Sequence, residues 1–144
     1  MRNDSGFSVI ELIVTIAILA ILTTIAVPNL VSWIPKYRVK DAAQDLFSNV
    51  QLAKTEAIKR NQNCTVTFNT APDNYVIGLL NRTITLADYG SGVQYTAAPA
   101  PGSITFNPRG FADSAVNVTL TNAQNSVSYR VSVLISGVVT VDIL

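Results

Sequence analysis

From Phe7 to Ile34 the chain runs FSVIELIVTIAILAILTTIAVPNLVSWI, 28 residues with a single charged side chain, Glu11. A helix needs about 20 apolar residues to cross the hydrocarbon core of a bilayer, so this run is long enough to span it with some tilt. Trp33, near its end, is followed by Lys36, Tyr37, Arg38 and Lys40, the aromatic and cationic anchors expected at a membrane interface. A secretory signal peptide instead sets its charges ahead of an apolar run of roughly 7–15 residues and ends in a small-residue cleavage site. Here the run is longer and no A-x-A pattern follows. The segment therefore reads as a retained membrane helix, against the alternatives of a cleaved secretory peptide or a buried core helix. Orientation is weakly encoded. Arg2 and Asp4 precede the helix while three cations follow it, so the positive-inside rule taken literally puts the C-terminal part in the cytoplasm; long domains, however, translocate largely regardless of charge.

Composition narrows the chemistry. Charged residues are 13% of the 144 and hydrophobic ones 49%, which excludes a disordered chain. There is no histidine, and this removes Ser-His-Asp, Cys-His and His-zinc chemistry. Cys64 is the one cysteine and by itself forms neither an intramolecular disulfide nor a cysteine metal site. Asp88 and Asp113 fall in loops without a carboxylate cluster that would hold calcium. The chain reads as neither an enzyme nor the holder of a metal or cofactor.

After Pro35, a second place for a kink or break, the pattern becomes amphipathic. Val39, Ala42, Ala43, Leu46, Val50, Ala53 and Ala57 recur at spacings of three and four, which predicts a helix to about Arg60 with its apolar stripe on a globular body. Asp41, Asp45, Glu56 and Arg60 read as ordinary surface charges, and Asn61-Gln62-Asn63 as the stop. From Cys64 the chain is rich in β-branched residues, with strands expected at 64–69, 74–80, 82–87, 92–96, 103–107, 115–121, 127–135 and 138–143. Alternation is clearest in Val116, Val118 and Leu120 and in Val127, Tyr129, Val131 and Val133. Ser136-Gly137 joins the last two strands as a tight hairpin, and the Pro/Ala-rich stretch 97–102 reads as a surface loop. The expected fold is α+β: one long N-terminal helix, half membrane and half amphipathic, laid on an antiparallel β-sheet or β-sandwich head. Cys64 reads as a small buried hydrophobe. Arg109 reads as a turn arginine with its stem packed on the sheet, a partner contact being the alternative. Asn63, Asn81 and Asn117 match the glycosylation pattern, as an Asn- and Thr-rich chain does by chance.

Glu11 does not fit a bland reading. A carboxylate one turn inside an apolar helix costs roughly 2.5–3.5 kcal/mol at mid-bilayer and less near the edge, and it calls for a partner unless it reaches water at the headgroups. The stretch Gly6-Phe7-Ser8-Val9-Ile10-Glu11 resembles the prepilin peptidase site of type IV pilins and type II secretion pseudopilins. That resemblance implies a pilin-like fold with a leader at 1–6, an assembly helix at 7–35 and a periplasmic head at 36–144. It also implies cleavage between Gly6 and Phe7, N-methylation of the Phe7 amine, and pairing of Glu11 with that ammonium on a neighbouring subunit. Such pairing offsets part of the cost of burying each charge. Pro28 is the implied kink, because proline removes one helical hydrogen bond.

Two further stretches resemble the GspH/FimT branch: Leu52-Ala53-Lys54-Thr55-Glu56-Ala57-Ile58-Lys59-Arg60-Asn61 and Phe106-Asn107-Pro108-Arg109-Gly110-Phe111. This branch implies a minor pseudopilin, a non-enzymatic subunit of the type II secretion pseudopilus that serves protein secretion across the outer membrane. Its implied location is the bacterial inner membrane as a single-pass protein, then a periplasmic pseudopilus or a surface pilus. The implied partners are other pilins or pseudopilins through the N-terminal helices, prepilin peptidase, inner-membrane lipid and an assembly platform. The alternatives are a type IV pilus minor pilin and a DNA-uptake receptor. DNA-binding members of the branch use arginines in a G-R-x-R setting, where this chain has Gly137-Val138-Val139-Thr140. From Lys36 onward nine cations face seven anions without clustering, a poor basis for contacting phosphates, so nucleic acid is not an expected partner.

Overall fold

The periodicity after Pro35 is realised as part of one helix, α1, which runs Val9–Arg60. The computed structural model describes residues 7–123 and 125–144, with side-chain surroundings for all of these except 28–32, 125 and 126. The helix continues through Pro35, where a break was a possible outcome, and through Pro28, whose side-chain surroundings lie outside the described residues. The chain divides between Ile34 and Pro35 into two separately packed units. In the second unit every residue of the expected stripe is buried, from Val39 and Ala42 to Ala53 and Ala57. Alanine at four of its seven positions lets the helix lie close to the strands, while Leu46 and Val50 supply volume. Truncating Leu46 to Ala removes packing of the kind that costs about 2–5 kcal/mol in a filled core.

The helix ends where the sequence places its stop. Asn61 takes the left-handed conformation at φ 53°, its amide donates to the Ile58 carbonyl (3.2 Å), and the Gln62 amide donates to Ala57 (3.1 Å). These are the two bonds of a Schellman C-cap, which satisfies carbonyls that a helix end otherwise leaves open.

Eight strands follow: β1 Cys64–Thr70, β2 Asp73–Ile77, β3 Arg82–Thr85, β4 Val93–Tyr95, β5 Ser103–Phe106, β6 Val116–Asn122, β7 Asn125–Val133 and β8 Val139–Ile143. They form two four-stranded antiparallel sheets, ordered β3-β2-β1-β5 and β4-β6-β7-β8. The fold is therefore α+β, with a two-sheet head. The strands expected at 74–80 and 82–87 stop at Ile77 and Thr85, because Gly78–Leu80 and Leu86–Tyr89 turn as 3-10 helices. In the second of these the turn buries Leu86 and carries Tyr89 to a carboxylate on α1, a tertiary contact that outweighs strand propensity.

The sheets are tied to each other by Tyr95. Its ring meets Phe68 of β1 edge-on at a 6.5 Å centroid distance, and its hydroxyl donates to the Asn74 carbonyl of β2 at 2.9 Å. Cys64 is fully buried, as expected for a small hydrophobe, and burial pushes its thiol above the ordinary value. In the 97–102 stretch Ala97 and Ala98 are exposed, as a surface loop requires, while Pro99 is buried and Ala100 bridges to Asn117.

Candidate functional site

The N-terminal end of α1 is set by Ser8. Its carbonyl accepts the amides of Glu11 (3.1 Å) and Leu12 (3.2 Å), so the helix opens at Val9. Glu11 consequently stands in the first helical turn, nearer the helix end than the sequence spacing implied. Ser8-Val9-Ile10-Glu11 has the S-x-x-E order of a helix start, and a carboxylate in the first turn is favoured by the positive end of the helix dipole. Phe7 precedes the helix and is 74% exposed; Gly6 and the rest of the leader lie outside the described residues. Among the described residues Glu11 meets no cation.

From Val9 to Val27 the helix is long and apolar enough to cross a membrane, and none of that span is buried by the protein itself. At 1.5 Å per residue, 19 residues reach about 28 Å, close to the thickness of a bilayer's hydrocarbon core. The threonines within it are satisfied locally. Thr15 donates to the Leu12 carbonyl (2.8 Å), Thr23 to Leu19 (2.6 Å) and Thr24 to Ile21 (2.7 Å), so no hydroxyl needs water or a neighbour. The result is a helix that presents only apolar surface and one terminal carboxylate to whatever surrounds it.

In the head, polar contacts through Asp45, Asn49 and Lys54 fix α1 to the β-rich part, a further one at Glu56 lies within the helix itself, and composition alone reveals none of them. Asp45 is half-buried: Asn49 Nδ2 donates to its Oδ2 (2.9 Å) and to the Tyr75 hydroxyl (2.8 Å), while the Tyr89 hydroxyl donates to the same carboxylate oxygen. Glu56 is buried and binds Arg60 Nε at 2.7 Å and Lys59 Nζ at 3.5 Å. The Arg60 hydrogen bond holds its carboxyl below the usual carboxylate range. Asp45 is thus corrected from a surface charge to an anchor of α1, and Glu56 from a surface charge to a buried carboxylate paired within its own helix, because each lies next to the apolar stripe. Lys54 Nζ donates to the Gly137 carbonyl at 2.8 Å.

Burial pushes the Tyr75 hydroxyl up to about 12 from an ordinary value near 10. The neutral phenol is therefore the folded form, and its contribution to stability is complete below pH 10 and is lost as pH rises through 12. Tyr75→Phe should remove this alkaline loss and cost about 1–2 kcal/mol at neutral pH, since Asn49 keeps only Asp45 as acceptor. Denaturant melts at pH 7 and across pH 9–12 check both effects.

Both stretches that marked the branch in sequence meet at one end of the head. In the 107–111 turn, the Asn107 carbonyl accepts the Gly110 amide (2.9 Å), and Asn107 Oδ1 accepts the amides of Arg109 (2.9 Å) and Phe111 (3.1 Å). Gly110, at φ 82°, lies against Ile58 and Lys54 of α1, and the Ala112 amide donates to Ile135 in the β7–β8 loop (3.0 Å). Arg109 is exposed at this turn. No group of three or more Cys, Asp or Glu side chains able to hold a metal occurs among the described residues.

Residues 42–137 match the family model described as type II transport protein GspH, and residues 1–27 match the prokaryotic N-terminal methylation motif. Crystal structures of the type IV minor pilin FimU of Pseudomonas aeruginosa (strain PAO1) share the fold. In one crystal form the identity is 14%, covering 74% of this chain and 90% of that one, with a TM-score of 0.61. In a second form the identity is 15%, the coverage 72% and 91%, and the TM-score 0.57. No curated protein matches the chain.

Proposed function

Because the chain belongs to the GspH family of type II transport proteins, we propose that it is a minor pseudopilin, a structural subunit of the type II secretion pseudopilus, anchored in the inner membrane before assembly. The observation that carries this reading is the contrast between the two parts of α1. Its second part completes a closed core with the sheets, whereas Val9–Val27 is apolar and wholly unburied, so it needs lipid first and other helices later. In this reading the head lies in the periplasm, prepilin peptidase cuts between Gly6 and Phe7, and the Phe7 amine is methylated. Glu11 then pairs with that amine on a neighbour and sets register, apolar helix packing supplies affinity, and Pro28 eases the bend that packing requires.

The fold shared with a type IV minor pilin supports a second reading, a minor pilin of a type IV pilus system. Deletion of the gene separates the two. Loss of secreted type II substrates with intact pili supports the first, loss of surface pili with intact secretion supports the second, and no loss of either overturns both. Processing is tested independently. Gly6→Val should leave the leader attached, seen as an N-terminus beginning at Met1 in intact-mass spectrometry; normal cleavage would remove the basis for the processing site.

A further inference from the structure

Besides Tyr37 on α1 and Ile143 and Leu144 at the end of β8, five large apolar side chains that the head leaves exposed are grouped. Ile58, Phe111, Leu134, Ile135 and Val138 are each between 48% and 59% exposed and come from three segments joined at one end of the head. Ile58 lies over Gly110 in the 107–111 turn, the Ala112 amide donates to Ile135, and the Leu134 amide donates to Val138 within the β7–β8 loop (2.9 Å). Exposed apolar side chains grouped on joined segments in this way mark an interaction surface.

Its rim is cationic. Lys59 and Arg60, with side chains 73% and 47% exposed, follow Ile58 at the end of α1, and Arg109 is exposed next to Gly110. Lys59, Arg60 and Arg109 outnumber the two carboxylates close by in sequence, Glu56 and Asp113. Glu56 is buried against Lys59 and Arg60, and Asp113 accepts the Thr105 amide and the Ser114 hydroxyl. Two such patches meeting face to face would set cations against cations, which disfavours a second copy of this chain as the occupant.

We propose that this end of the head docks the globular head of a different filament subunit, one that presents apolar side chains framed by carboxylates. The proposal rests on the reading of this chain as a filament subunit. The surface is preorganised: Gly110 and Gly137 interlock beneath it through backbone contacts, so little ordering cost remains for binding. The apolar centre supplies affinity, and the cations choose the partner and its orientation.

Photo-crosslinking of the full chain in its host membranes tests this, with benzoylphenylalanine placed at Ile135 and, as a control in the apolar helix, at Leu19. The expected Ile135 adduct, mapped by mass spectrometry, lies in the head of another pilin-like chain, on apolar residues flanked by Asp or Glu. Arg109→Glu should cut its yield at least five-fold and Arg109→Lys should restore it, with the Leu19 adduct unchanged. Ile135 adducts only to lipid or only to a second copy, an Ile135 yield indifferent to Arg109→Glu, or no Ile135 adduct while Leu19 captures neighbouring helices, would each overturn the docking surface and leave the filament reading standing. If Leu19 also captures no pilin-like chain, the filament reading fails and the docking surface with it.

Discussion

Gly137→Ala should lower the melting temperature of the head by roughly 10 °C. Gly137 has φ 75°, in the left-handed region, and a Cβ built on it would lie 2.0 Å from the Gly110 carbonyl oxygen and 3.2 Å from its carbon. Both are backbone atoms. The Gly110 turn cannot swing aside cheaply, because Asn107 holds it through its own carbonyl and side-chain oxygen. Moving the Gly137 loop instead strains the 2.8 Å bond from Lys54. Left-handed strain of about 1–3 kcal/mol and displacement of one of the two turns together give a cost of about 2–4 kcal/mol. Gly102→Ala is the control, since a Cβ there meets nothing within 4 Å. Thermal melts of the full chain in detergent, followed by circular dichroism, compare the two; an unchanged melting temperature for Gly137→Ala would show that the turns repack freely.

Glu11→Ala should reach the membrane and lose its leader like the parent, yet enter filaments roughly 100-fold less well. Removing a carboxylate from an otherwise apolar helix favours insertion, modestly because Glu11 lies in the first turn. Assembly changes in the opposite direction. In the proposed contact the neighbour's Phe7 ammonium would be left without its counter-charge in a low-dielectric bundle, a loss of about 3–5 kcal/mol for breaking a buried pair. Each 1.4 kcal/mol is about tenfold in an equilibrium constant, so even the lower figure gives about two decades. The membrane and sheared-filament fractions, quantified by immunoblot, read both effects in one experiment. Normal incorporation of Glu11→Ala would remove the pairing argument while leaving the apolar helix as the source of affinity.

The core-facing residues of α1 were legible because burial follows a period of 3.6, and Val39 to Ala57 keep it without interruption. The strand order was not legible, since alternation states which face is inward and says nothing of which strand lies beside which. Leu86 and Ala87 read as the end of a strand and instead open a 3-10 turn that carries Tyr89 to a carboxylate. Asp45 and Glu56 were misread for a related reason. Charges spaced four apart on a helix look the same whether they face water or flank the contact with a sheet; Tyr89, distant in sequence, distinguishes Asp45, and burial beside the stripe distinguishes Glu56.

What the sequence alone determined were the features that depend on spacing along the chain: the membrane-length apolar run, the lone Glu11 at its start, the helical stripe and the Asn61 stop. Each is local, so the order of residues suffices to state it. The tertiary structure alone decided the meeting of Gly110 with Gly137, the capture of Asp45 by Tyr89, the burial of Glu56, and the collection of Ile58, Phe111 and Ile135 into one cation-rimmed patch. These depend on loops brought together by packing, and packing selects among many arrangements that the same local pattern permits.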